Sequence, residues 1–156
     1  MKKILFAGAL TLAALQMNAE ESKVIRISTD QTDLILKVGE NGRLYQTYLG
    51  EKLLHEADVN RFSWDIHAGS DGSISQRGWE VYSGSGNEDY FEPAVAITHN
   101  DGNTSTYLYY VSSSTSPVEG GTQTTINLRD DKYPVDVTLH YVAYPKENVI
   151  KTWSEI

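Results

Sequence analysis

From Lys23 onward, apolar residues recur at every second position and not at every third or fourth, a spacing that marks half-buried strands. Leu34, Leu36 and Val38 form one such set, Thr124, Ile126 and Leu128 a second, and Val135, Val137, Leu139 and Tyr141 a third. Between the sets lie Gly39-Glu40-Asn41-Gly42, Asn100-Asp101-Gly102-Asn103 and Glu119-Gly120-Gly121. Asn, Asp and Gly tolerate the positive φ that tight hairpins need, so these are turn signals. The pattern predicts strands over 23–28, 32–38, 43–50, 74–82, 93–99, 106–112, 122–129, 134–144 and 147–155, with no helical periodicity. Antiparallel hairpins with one apolar face cover each other most simply as a sandwich. The expected fold is therefore all-β, one domain without internal repeat or low-complexity linker.

Two stretches stand apart from the alternation. Asp58 to Asn87 is the least regular and holds Gly69, Gly72, Gly78, Gly84 and Gly86 beside Trp64 and Trp79, the place for a functional loop. Ser112 to Ser116, ending at Pro117, reads as a surface connection. The last predicted strand runs to the end of the chain, from which a longer parent protein is expected.

The first residues change the picture of where the chain works. Lys2 and Lys3 precede an almost wholly apolar run from Ile4 to Leu15, and Ala19 offers a small residue for cleavage. Twelve apolar residues fall short of the ~20 that cross a bilayer, so residues 1–19 are expected to be a signal peptide and 20–156 the mature domain. Losing Lys2 and Lys3 lowers the basic count from 13 to 11 against 21 acids, a net charge of −10. That balance argues against nucleic acid or an anionic membrane as partner. The chain has no cysteine, which excludes disulfides, thiolate metal sites and thiol catalysis.

Chemistry-bearing constellations are sparse. His55, His67, His99 and His140 match no metal-ligand spacing, and His140 alternates with Asp136 and Thr138 as an outward-facing surface residue. No metal and no cofactor is expected. A glycosidase needs two carboxylates roughly 5–10 Å apart, and nothing in the order of the acids fixes such a pair, although Asp65 and Glu92 each follow an aromatic residue. Ser83-Gly84-Ser85-Gly86 is neither a nucleophile elbow nor a phosphate loop. Ten Tyr and three Trp carry more signal, because sugar rings stack on aromatic faces. Core filling and cross-strand pairing use the same rings, and for Tyr107, Tyr109 and Tyr110 that is the favoured reading.

Three segments, taken in order, resemble the N-terminal domain of bacterial glycoside hydrolase family 36, the α-galactosidases. They are Arg43-Leu44-Tyr45-Gln46-Thr47-Tyr48-Leu49-Gly50, then Tyr90-Phe91-Glu92-Pro93-Ala94-Val95, then Leu128-Arg129-Asp130 through Tyr141 and on to Trp153-Ser154-Glu155-Ile156. Phe91 stands where many members carry Arg, so a contact made by that Arg does not carry over.

The resemblance implies a large, supersandwich-like antiparallel β-sandwich, C-terminally truncated relative to the full enzyme, whose (β/α)8 catalytic barrel lies outside these residues. The family's catalytic aspartates sit on that barrel, so no catalytic residue is expected here and Ser63-Trp64-Asp65 is a decoy for the family's Lys-Trp-Asp. The implied role is that of a non-catalytic domain of an exported retaining exo-α-galactosidase, periplasmic or secreted. Its partners would be its own barrel, an α-galactoside and further copies in a homo-oligomer. Arg61 and Trp64, with Asp58 and Asp65 behind them, resemble the family's loop at the rim of a neighbouring active site. There Arg would hold a hydroxyl and Trp would offer a stacking face. A free-standing galactoside-binding module is the alternative.

Overall fold

The computed structural model describes residues 23–61, 79–86 and 92–156, apart from the side chain of Trp79. Eight strands and one short helix lie among them: β1 (Val24–Ser28), β2 (Thr32–Val38), β3 (Leu44–Glu51), α1 (Glu56–Arg61), β4 (Trp79–Glu80), β5 (Leu108–Val118), β6 (Gly121–Asp130), β7 (Asp136–Tyr144) and β8 (Val149–Glu155). They form two four-stranded sheets, each running in chain order, β1-β2-β3-β4 and β5-β6-β7-β8, with antiparallel neighbours throughout. The all-β sandwich expected from the alternation is the observed architecture.

The alternating residues meet in one cluster. Ile25, Ile27, Leu34 and Leu36 from the first sheet pack with Ile126, Leu128, Val137, Leu139 and Tyr141 from the second. Burying each such side chain is worth about 1.5–3 kcal/mol, so this seam holds the sheets face to face. In β2 the opposite face is buried as well, through Asp33, Ile35 and Lys37. Both faces of β2 are therefore covered, and Val59 of α1, 1% exposed, is buried outside the shared cluster.

Where the structure departs from the sequence reading, the cause is local. Helix α1 was not foreseen because six residues with one apolar anchor cannot display a 3.6-residue period. The expected strand 93–99 is irregular, with a single parallel bridge from Gly84 to Val95; Pro93 has no N–H to give a ladder. Of the expected strand 74–82, Trp79 and Glu80 are extended, while 74–78 lie outside the described residues.

Ser112–Ser116 is strand and not connection: it pairs residue by residue with Asn127 back to Gln123. Its side chains are polar because β5 is, among the described residues, an edge strand with little to bury. The true reversal is Glu119-Gly120, since Val118 pairs with Gly121, and Gly120 takes the φ of +73° that closes so short a turn. A register shift between Tyr110 and Ser112 leaves Val111 as an extra, unpaired residue of the ladder.

Candidate functional site

The first sheet meets the segment leading into α1 through a part-buried ion pair. Arg26 on β1 donates from Nη2 to Asp33 Oδ2 at 2.6 Å and to the carbonyl of Leu53 at 2.8 Å. The Leu53 N–H in turn donates to the same Asp33 oxygen at 2.8 Å, and Ser28 Oγ donates to Oδ1 at 2.6 Å. Burial alone would raise the Asp33 pKa; the hydrogen bonds from Arg26, Ser28 and Leu53 outweigh it and hold the carboxyl below its ordinary value. The hydrogen bond to Asp33 likewise raises Arg26 above the usual arginine value. Arg26 Nη1 also reaches Glu56 Oε2 at 3.3 Å. The segment leaving β3 is thus clipped to the sheet just where α1 begins.

Glu56 and Asp58 occupy the first turn of α1 and Arg61 its last, the order that complements the helix dipole. Val59 pins the inner side, so Asp58 is half-buried and Arg61 exposed. Neither makes an ion pair among the described residues. Their spacing of three makes them neighbours on the helix surface. Of the four expected rim residues, α1 therefore carries Asp58 and Arg61. Trp64 and Asp65 lie outside the described residues.

A second nearly buried pair stands on the other side of that segment in sequence. Arg43, just before β3, meets Glu80 on β4 in a two-pronged contact, Nε to Oε1 at 2.9 Å and Nη2 to Oε2, with side chains 5% and 8% exposed. Paired forks of this kind fix orientation as well as distance. In sequence, residues 62–78 thus lie between a part-buried arginine–carboxylate clamp that holds Leu53 and a buried one that ends at Glu80. Sequence reasoning missed both, and only the charged Arg26 and Asp33 within the mostly apolar β1 and β2 gave a partial signal.

The remaining candidates are dispersed. His99 is buried, stacked on Tyr133 with centroids 3.5 Å apart, while His55 is exposed and His67 lies outside the described residues. His140 faces outward with Asp136 and Thr138 as expected, yet is only 12% exposed, because the ring of Trp153 lies over it. Glu92 is exposed, and no group of three potential metal ligands gathers among the described residues. A cleft of about 500 Å³ opens between the sheets, lined by Leu34, Leu49, Val81, Tyr141 and Ile150 with Gln46 and Glu80 at its polar side.

Two antiparallel four-stranded sheets packed face to face on one shared core define a β-sandwich. Residues 42–156 match the model of the Glycosyl hydrolase family 36 N-terminal domain, and the chain belongs to that family through this domain. Solved structures agree in fold. The α-galactosidase from Lactobacillus brevis aligns with a TM-score of 0.69 at 18% identity, covering 86% of this chain and 21% of its own. The family 36 α-galactosidases AgaA and AgaB from Geobacillus stearothermophilus align with TM-scores of 0.66 and 0.68, each at 20% identity, covering 85% and 86% of this chain and 21% of theirs. The chain thus spans about a fifth of the length of these structures. No curated protein matches the chain.

Proposed function

We propose that this chain is the non-catalytic N-terminal domain of an exported, retaining exo-α-galactosidase, and that it supports barrel packing, oligomer assembly and the rim of the active site. The observation that carries the reading is the family match over residues 42–156, on a sandwich that overlays about a fifth of each full α-galactosidase. Variants of AgaA have been solved with 1-deoxygalactonojirimycin and with raffinose, which indicates the ligand chemistry of the whole enzymes. In this chain the rim would be Arg61, Trp64, Asp58 and Asp65. Arg61 is exposed at the end of a helix clipped to the sheet, a position from which a guanidinium can hold a sugar hydroxyl. Residues 1–19 would direct export and be removed, placing the domain in the periplasm or outside the cell.

The test is hydrolysis of a chromogenic α-galactoside by this chain and by the chain extended through the following several hundred codons of its gene. Activity confined to the extended protein is expected. Activity in the short chain overturns the accessory role. In the extended protein, Arg61→Ala and Trp64→Ala should raise KM more than they lower kcat if the rim acts in binding.

A further inference from the structure

We propose that the cleft between the start of β5 and the turn after β6 binds a neutral saccharide, which stacks on Tyr107 and hydrogen-bonds to Asp131 and Asn103. The cleft measures about 460 Å³, and Asn103, Ser105, Tyr107, Tyr109, Asp131 and Tyr133 are among its walls. It shares no residue with Asp58, Arg61, Trp64 or Asp65, so it stands or falls apart from the rim.

Three segments of chain are locked together around it before any ligand arrives. The buried carboxylate of Asp130 accepts from the backbone N–H of Tyr107 at 2.7 Å and of Lys132 and Tyr133 at 2.8 Å each. Tyr133 lies flat on His99, 7° from parallel, and its hydroxyl donates to Asp101 at 2.9 Å. His99 Nε2 lies 3.2 Å from both the Ser105 carbonyl and Thr106 Oγ1. A rigid wall lowers the ordering cost of binding.

The groups left over suit a polyol. Tyr107 is 38% exposed, and its hydroxyl lies 3.4 Å from the Gly86 carbonyl, so the ring is held by its tip. Asn103 uses its carbonyl oxygen on the Ser105 N–H, which leaves its amide N–H groups to donate. Asp131 is exposed and makes no hydrogen bond or ion pair among the described residues, so it can accept. A sugar hydroxyl both donates and accepts, and the C–H face of a pyranose seeks an aromatic ring. Charge disfavours anions, which Asp101, Asp130 and Asp131 repel while Lys132 Nζ is drawn over the Tyr133 ring at 4.8 Å, and no group of three potential metal ligands gathers among the described residues.

The test is a titration of the ¹⁵N-labelled chain with methyl α-galactopyranoside and, separately, methyl α-glucopyranoside, followed by amide shifts. With at least one sugar, saturable shifts are expected at Asn103, Tyr107 and Asp131. Tyr107→Ala should weaken binding about tenfold, the scale of a lost aromatic contact. Asp131→Asn should weaken it about fivefold, the scale of a hydrogen bond. Both side chains are exposed, and unshifted resonances elsewhere report an intact fold. Absence of saturation with both sugars, shifts centred on α1, or binding indifferent to both substitutions overturns the proposal. None of these outcomes touches the α-galactosidase reading, which the extended-chain hydrolysis assay addresses.

Discussion

Arg26 Nη2 lies 2.6 Å from Asp33 Oδ2, and the carboxylate side chain it meets has no exposed surface. Asp33→Ala therefore removes the nearest partner of Arg26, leaving it the Leu53 carbonyl and Glu56, and also removes the acceptor of Ser28 Oγ and the Leu53 N–H. A loss of about 2–3 kcal/mol is expected, the scale of hydrogen bonds to a buried charged group lost together. Urea unfolding measures it. Arg26→Ala/Asp33→Ala together should lose less than the sum of the two single variants, since they share one interaction.

Acid should act on the same clamp. Asp33 is depressed despite burial, and so is Asp130, where burial is outweighed by backbone N–H groups of Tyr133, Lys132 and Tyr107. A carboxyl depressed in the folded state binds fewer protons there than when unfolded. Its contribution is complete above the unfolded value near 4 and fades as pH drops through the lower folded value. The urea midpoint should thus be flat from about pH 7 to 5 and fall below about pH 4. Asp130→Asn should cost about 2 kcal/mol at neutral pH and make the acid decline shallower.

Alkali should act through Tyr141. Burial pushes its hydroxyl up to about 12, with the Thr152 hydrogen bond offsetting part of the rise. The folded value exceeds the unfolded one near 10, so this stabilisation is whole below about pH 10 and is lost as pH climbs through about 12. Ultraviolet titration should find Tyr141 lagging the exposed tyrosines. In Tyr141→Phe that laggard disappears and the alkaline fall in stability shrinks.

A methyl group should be intolerable at the start of β6. A Cβ on Gly121 would sit 2.3 Å from the Ala143 carbonyl oxygen across the β6–β7 pair. Gly121→Ala is expected to cost about 1–3 kcal/mol, as overpacking does, with a lowered Tm in thermal unfolding.

The sandwich was legible because its core residues keep strict alternation, as Leu34 and Leu36 or Val137, Leu139 and Tyr141 do. Asp33, Ile35 and Lys37 were not, since only a second layer over β2 explains a strand buried on both sides. Strand character in Ser112–Ser116 was hidden for the opposite reason. An edge strand buries almost nothing, and its ladder hydrogen bonds belong to the backbone, which leaves no mark on side-chain pattern. Asp58 and Arg61 could be named as candidates for a rim from a motif, but the clamp at the start of their helix joins residues seven apart on two strands. That becomes visible only once Ser28 is known to face Asp33.

Strand β5 also governs how the domain behaves in company. Outer strands are templates on which foreign chains accrete, and this one makes a poor template because Val111 breaks the rhythm of its backbone groups and Pro117 has no N–H to offer. Serine and threonine along its length give an incoming chain little greasy surface to hold. The β5 margin is thereby built against fibre growth, and concentrated solutions should be spared aggregation that starts along it.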